Sequence, residues 1–199
     1  RIVFDKDLKE FTIEDIVLSH ENQRIELLGT LRGSKYKDLK LSFKDVNLNK
    51  ITPEDDLFVF DGNINGAVNF KQDNAVYRPT ASLIIDQLQL NKTDLGILDF
   101  DIEGDQSFSN FAINSTITNN GFESFKAGGN LEIQNNETLL DLRLKFDEFK
   151  LATLSTVGGE ILTNIRGLVS GNATIQGNVN SPEINGRLYL DKAGMSIPY

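Results

Sequence analysis

The chain contains no cysteine, which excludes disulfide bonds, thiolate metal ligands and a cysteine nucleophile. Its single histidine, His20, lies beside Ser19 and Glu21 and lacks the convergent partners that a catalytic base requires. We interpret His20 as a solvated loop residue. The pair Gly128-Gly129 is not followed by the Lys-Ser/Thr of a phosphate-binding loop and indicates a turn. The sequence therefore predicts a protein that is not an enzyme, with no catalytic residue, no metal ligand and no cofactor.

Basic residues are few: 20 lysines and arginines stand against 29 acidic residues, for a net charge of -9. Such a surface repels nucleic acid, so no nucleic-acid partner is expected, and the acidity is typical of a soluble surface. Acidic residues cluster at 54–56 and alternate with apolar ones at 99–105. Both clusters lack the loop spacing of a dedicated calcium site, which favours a solvated face.

The chain also lacks a signal peptide and an apolar run long enough to span a bilayer. It begins with Arg1 rather than methionine. We therefore expect residues 1–199 to be one continuous segment of a longer protein.

Strand periodicity dominates what is present, because apolar and polar residues alternate along most of the chain. Successive side chains of a strand point to opposite faces, so each strand has one apolar and one polar face. This pattern is typical of antiparallel sheets with one solvated side. Only short helical turns are expected, one beginning near Thr52 and one in the matching stretch 153–162. The residues predicted to form a shared apolar face are Ile25, Leu27, Leu39, Leu41, Phe43, Ile64, Val68, Phe70, Leu98, Phe100, Ile102, Phe111, Ile113, Ile117, Leu142, Leu144, Phe146, Val169, Ile175, Ile184, Leu188 and Leu190.

The carboxy-terminal part of the chain repeats an earlier part. Residues 38–48 return as 141–151, and residues 60–70 return as 165–175, with both glycines and the apolar positions in step. A proline and a further apolar strand follow each copy, so the repeat-like units extend over about 38–90 and 141–190. A long internal period indicates stacked units rather than a closed enzyme domain.

Two architectures satisfy this pattern. One is a closed β-sandwich, and the other is an open, curled sheet whose apolar face remains accessible to an apolar ligand. Periodicity does not separate them, because both require the same alternation.

The carboxy-terminal repeat resembles a known family. Residues 165–190 carry, in order, Gly167, Gly171, Gly177, Pro182 and Gly186 within two apolar strands. This order is similar to a recurring signature of the TamB family and its AsmA-like relatives, and the likeness covers 141–199 well, 39–90 fairly and the remainder weakly. The first unit departs from it, since residues 71–73 replace the glycine turn and no glycine follows Pro79.

The resemblance implies an all-β fold, an elongated curled β-sheet of mostly antiparallel strands shaped like a taco, with an apolar groove inside. It implies a non-enzymatic segment of a protein that spans the periplasm of a diderm bacterium and is anchored in the inner membrane by a segment outside this chain. The implied function is the movement of phospholipid between the inner and outer membranes in support of outer-membrane biogenesis. The implied partners are phospholipid acyl chains, held by the apolar residues named above, and a barrel of the outer-membrane assembly family.

Two alternatives stay open. The same groove or its sheet edges could bind unfolded outer-membrane strands, which would make the chain a chaperone or docking module for barrel assembly. A β-sandwich for adhesion or glycan binding is the other, although the absence of tryptophan counts against it.

Overall fold

The computed structural model describes residues 2–7, 9–52, 58–135, 137–154 and 163–196. Within them the fold is all-β, and the strands form one open antiparallel sheet of 12 strands in sequential order. The strands are β1 Ile2–Phe4, β2 Glu10–His20, β3 Gln23–Arg32, β4 Tyr36–Asn47, β5 Phe60–Asp73, β6 Val76–Leu90, β7 Thr93–Gly104, β8 Asn110–Asn119, β9 Phe122–Gln134, β10 Glu137–Lys150, β11 Thr163–Asn178 and β12 Glu183–Ser196. The predicted elongated, curled all-β sheet is thereby confirmed.

Because every strand pairs with its neighbours in sequence, the two ends of the strands form two rims. The helical rim comprises the connections near residues 21–22, 48–52, 91–92, 120–121 and 151–154, and it carries both helical turns. These are 3₁₀ turns, η1 at Leu48–Lys50 and η2 at Leu151–Leu154. The aromatic rim comprises the opposite connections near residues 5–7, 33–35, 74–75, 105–109, 135 and 179–182.

The two described helical turns lie at or just before the predicted stretches. The first described turn, η1, precedes Thr52, and the Thr52 hydroxyl donates a hydrogen bond to the Leu48 carbonyl at 3.1 Å. The second includes Thr153 and Leu154. The remaining predicted helical residues, 53–55 and 155–162, lie outside the described residues.

The repeat detected in the sequence has a matching geometry in the sheet. Phe43 pairs with Gly66 and Val46 with Ile64 across a bulge, and in the second unit Phe146 pairs with Gly171 and Phe149 with Val169 across the same bulge. In each unit a residue with positive φ forms the bulge, Asp45 at 51° and Glu148 at 48°.

The bulges are held in the same way. The Asp45 amide donates to Asn65 Oδ1 at 2.9 Å, and the Glu148 amide donates to Ser170 Oγ at 2.9 Å. A side-chain acceptor on the next strand thus satisfies the amide that the bulge removes from the ladder.

The structure extends the repeat to the strands that precede each unit. The loop after β1 begins at Asp5, whose carboxylate accepts hydrogen bonds from the amides of Lys9 and Glu10. The loop after β7 begins at Asp105, whose carboxylate accepts from the amides of Ser109 and Asn110. Strands β1–β6 and β7–β12 therefore correspond, and the seam between the two sets is the β6–β7 pair.

Candidate functional site, an open apolar groove

The cross-strand registers place the predicted apolar residues on a single face of the sheet. Directly opposed residues of antiparallel strands share a face. Leu27 lies opposite Leu41, Leu41 opposite Val68, and Val68 opposite Ala81. The row continues from Ala81 to Ile102 and from Ile102 to Ile113. We call this face, on which these rows lie, the groove face.

The same face continues into the last strands, where the first row runs on through Gly129 to Leu142 and further rows lie parallel to it. Phe125 lies opposite Phe146, Leu144 opposite Ala173, and Leu142 opposite Ile175. Ile175 in turn lies opposite Ile184, and Val169 opposite Leu190. All the residues predicted from sequence to share the apolar face lie in strands on these rows or on the rows adjacent to them. Whether they contact lipid stays a prediction.

Among the described residues, the largest buried cluster on the groove face lies near the helical rim. The buried cluster there comprises Leu48, Ile64, Ile85, Leu88, Leu95, Ile117, Phe149 and Val169. Turn η2 crosses this end of the sheet, since the Asn91 side chain donates to the Thr153 carbonyl at 2.8 Å and Lys150 Nζ donates to the Asp94 carbonyl. These bonds join the β6–β7 connection and the start of β7 to the end of β10 and turn η2, so the sheet is curled at this rim.

A cavity of about 530 Å³ opens beside that cluster. Strands β5 to β10 line it with leucine, isoleucine and phenylalanine side chains, and Thr52 and Ser115 are the polar residues in the lining. Its volume is in the range of sites that enclose small molecules. The described residues that line the cavity include no charged side chain, so an apolar chain is the ligand that they suit.

Away from the helical rim the face stays open. Leu142 and Leu144 are half-buried rather than buried, although they lie in the middle of a strand flanked on both sides. On β12, Ile184 and Leu190 are 67% and 61% exposed. A closed sandwich would bury these residues, and the described residues form one sheet rather than two packed sheets. The sandwich architecture is therefore not the one found.

An aromatic cluster lies at the opposite rim. Phe108, in the loop after β7, packs against Phe70, Tyr77 and Phe111 with ring centroids 5.3–5.6 Å apart. The Asp105 carboxylate shapes this loop, and hydrogen bonds from Asn110, Ser109 and Ser107 hold the pKa of Asp105 well below its usual range. The loop thereby places Phe108 beside the end of the groove.

Sequence reasoning missed several residues of the groove, and the reason is local. Leu88 and Phe149 each follow a bulge residue with positive φ, Gln87 and Glu148, so they leave the simple alternation on which the prediction was built. Leu83 and Ile85 flank the apolar Ile84, which conceals the period of two. The repeat did offer a signal for Phe149, because Phe149 matches the apolar Val46 in the first unit.

The described residues contain no cluster of three His, Cys, Asp or Glu side chains suited to a metal ion. Nor does any helix among them have the length and apolar character required to cross a membrane. Comparison with family models, curated proteins and solved structures finds no match to the chain. The resemblance to the TamB family thus rests on the sequence signature alone.

Proposed function

We propose that the chain is a non-enzymatic segment of a lipid-carrying bridge, in which phospholipid acyl chains lie along the groove face. The observation that carries the proposal is the unbroken succession of apolar cross-strand rows from β2 to β12 on a face that remains open. An acyl chain requires no hydrogen-bond partner, whereas a peptide backbone in the cavity would lose its bonds to water without replacement.

The uniformity of the rows suits transport better than storage. Each acyl methylene removed from water contributes about 0.8 kcal/mol wherever it lies along an apolar surface. A lipid that moves from one row to the next exchanges one apolar contact for another, so no position holds it deeply. The repeated six-strand unit supplies this uniformity, because both halves of the sheet present leucine, isoleucine and phenylalanine at matched positions.

The resemblance supplies the setting of the proposal. Under this proposal, the chain is part of a TamB-like protein in the periplasm of a diderm bacterium, and an inner-membrane anchor lies outside residues 1–199. The groove carries phospholipid between the two membranes, and a barrel of the outer-membrane assembly family is the partner. The net charge of -9 is consistent with a hydrated exterior.

The test replaces Leu144 with arginine. Leu144 lies between Ala127 and Ala173 on the groove face, so the neighbouring side chains are small and leave room for a longer one. On an open face the arginine head group extends to water and the fold survives, while its charge obstructs an acyl chain. We expect unchanged thermal melting and at least a fivefold loss of lipid photo-crosslinking through a probe at Leu142.

The control is Ile84→Arg, which makes the same change on the outward face, where Ile84 is 43% exposed opposite Asp99. It should leave both melting and crosslinking unchanged. Unfolding of Leu144→Arg would show that its position is a closed core, since an unpaired buried charge costs several kcal/mol. Undiminished crosslinking in the folded variant would remove Leu144 from the lipid path.

A second candidate is a docking module for outer-membrane strands, and the edge of β12 favours it. Within the described residues β12 pairs only with β11, so its other edge offers backbone hydrogen bonds to an added strand. The Leu144→Arg variant separates the two candidates. A peptide of alternating apolar and polar residues that pairs with β12 would still crosslink to a probe at Tyr189, whereas lipid passage would be lost.

A further inference from the structure

Lys37 is an exception on the groove face. It lies opposite Leu31 on one side and Gln72 on the other. Along β4 it follows Leu41 and Leu39 on the same face, toward the aromatic rim. Among the cross-strand pairs that the structure describes on the groove face of β2–β12, Lys37 is the only lysine, arginine or carboxylate. A cation is therefore present at one place where the apolar groove meets water.

A hydrogen-bond network holds this cation in place. Lys37 Nζ donates to Gln72 Oε1 at 2.8 Å, and Gln72 Nε2 donates to the Asn74 carbonyl at 2.8 Å. The Tyr77 hydroxyl lies 3.5 Å from the same nitrogen. Gln72 is 6% exposed, so the partner that orients Lys37 is itself fixed by packing.

The ammonium group has capacity for a further partner. An ammonium carries three N–H donors, and Gln72 takes one of them. The ion pairs among the described residues do not include Lys37, whereas nearby Lys71 is held 2.9 Å from Asp38 on the outward face. A cation beside an apolar groove and without a carboxylate partner is complementary to an anion that carries an apolar chain.

The duplication shows that the fold does not require this arrangement. In the second unit Leu140 takes the place of Lys37, since Leu31 pairs with Lys37 and Leu131 pairs with Leu140. Gly177 takes the place of Gln72 opposite it. The same strand positions are thus built without polar side chains in one half of the sheet and with them in the other.

The surroundings of Lys37 set the orientation of such a ligand. Leu39 and Phe70 lie opposite each other one row further into the groove, and Phe70 belongs to the aromatic cluster around Phe108. A head group bound by Lys37 at the rim would leave its acyl chains beside these apolar side chains.

We propose that Lys37, oriented by Gln72, binds the phosphate head group of an anionic phospholipid whose acyl chains occupy the groove. The inference rests on the proposed function and adds a selectivity to it: the first unit prefers a lipid with a net negative head group, and the second unit accepts lipids without regard to the head group.

The experiment compares Lys37→Leu, which copies the residue of the second unit, with Lys40→Leu, which removes the same charge from the outward face of the same strand. The probes are dioleoylphosphatidylglycerol and dioleoylglycerol, which share acyl chains and differ in the phosphate, and binding is measured by native mass spectrometry and fluorescence competition. Lys37→Leu should weaken phosphatidylglycerol binding about tenfold, the usual scale of one hydrogen bond to a charged group, and leave dioleoylglycerol unchanged. Lys40→Leu should change neither, and Lys37→Arg should restore much of the preference.

The outcomes separate the two proposals. If neither lipid binds the unaltered protein, the lipid-carrying function itself fails. If both lipids bind with equal affinity and Lys37→Leu changes neither, the groove stands and the head-group site is rejected. If inorganic phosphate alone binds as tightly as phosphatidylglycerol and Lys37→Leu abolishes it, the site recognises free phosphate and the lipid assignment is overturned. Thermal melting of each variant establishes that the fold is intact.

Discussion

At the scale of single residues, the Asp105 carboxylate holds the conformation of the loop between β7 and β8 through hydrogen bonds. It accepts hydrogen bonds from the Ser107 hydroxyl at 2.7 Å and from the Asn110 side chain at 3.0 Å, in addition to three backbone amides. These donors stabilise the ionised carboxylate and lower its pKa from 3.8. Because the folded pKa lies below the unfolded one, the stabilisation is fully present above pH 3.8 and is lost as the pH falls below it.

We therefore expect Asp105→Asn to lower the melting temperature at pH 7, and the difference from the unaltered protein to shrink below about pH 4 as its own carboxylate becomes protonated. Asp101→Asn, on the outward face of β7 just before the loop, is the control and should have little effect. The measurement is thermal unfolding at a series of pH values. A difference that stays constant down to pH 2 would mean that the charge of Asp105 does not stabilise the loop.

At two positions the backbone conformation and the close approach of the next strand require glycine. Gly66 and Gly171 occupy matched places and have φ of +124° and +136°. A Cβ atom at either position would lie 2.2 Å from a backbone carbonyl oxygen of the next strand, that of Ser82 or Arg187. Only glycine fits there without movement of the backbone.

Gly66→Ala should lower the free energy of unfolding by about 1–3 kcal/mol, through backbone strain together with the displacement of β6. Gly171→Ala should cost less, because β12 has one paired neighbour and shifts more easily than β6, which lies between β5 and β7. Urea unfolding measures both. Gly33→Ala serves as the control, since Gly33 has φ of +57° and no atom within 4 Å of the added Cβ. Equal costs at Gly33 and Gly66 would mean that the clash contributes nothing.

At the scale of strands, alternation in the sequence was enough to predict which residues share a face. The period of two follows from the pleat and needs no tertiary information, so Leu142, Leu144 and Phe146 could be placed together. The same pattern predicted the sheet class and its antiparallel pairing, because one polar face per strand is typical of such sheets.

The bulges could not be predicted from that period. Each inserts one residue, after which the apolar side chains fall on the opposite parity, as Leu88 does after Gln87 and Phe149 after Glu148. The covering of the helical rim was equally invisible, because the bond from Asn91 to the Thr153 carbonyl joins residues 62 positions apart. Alternation places Lys37 on the same face as Leu39, but its position opposite Leu31 and Gln72 depends on the strand register, which the period of two does not supply.

At the scale of the whole molecule, the sheet is two copies of one six-strand unit joined at the β6–β7 seam. Asp5 and Asp105 begin matching loops, and Phe11 and Phe111 follow them as the first groove residues of β2 and β8. The internal repeat is visible in the sequence only over the later part of the unit, because the first strands of the two units share few residues beyond these aspartates and the apolar positions. In a stack of units, each one contacts only its neighbours, so stability is close to a sum of units and seams.

The β6–β7 seam supplies a test of that additivity. By the repeat, Met195 matches Leu90, and Ile2 matches Ile102, so a second copy can be fused behind the first with a linker that reproduces residues 91–101. The junction then repeats the geometry of the seam. We expect one continuous sheet of twice the strand number. At about 4.8 Å per strand its length should rise from about 50 Å to about 110 Å. Small-angle X-ray scattering measures that length, and urea unfolding should show the tandem more stable than the single chain, because it gains a seam.

As a control, a tandem joined by a glycine-serine linker of equal length lacks the side chains of the seam and should scatter as two separate bodies. If the seam-linked tandem scattered in the same way as the control, the two halves of this sheet would not be repeats of one stacking unit, and the groove would have no geometric basis for extending beyond a single chain.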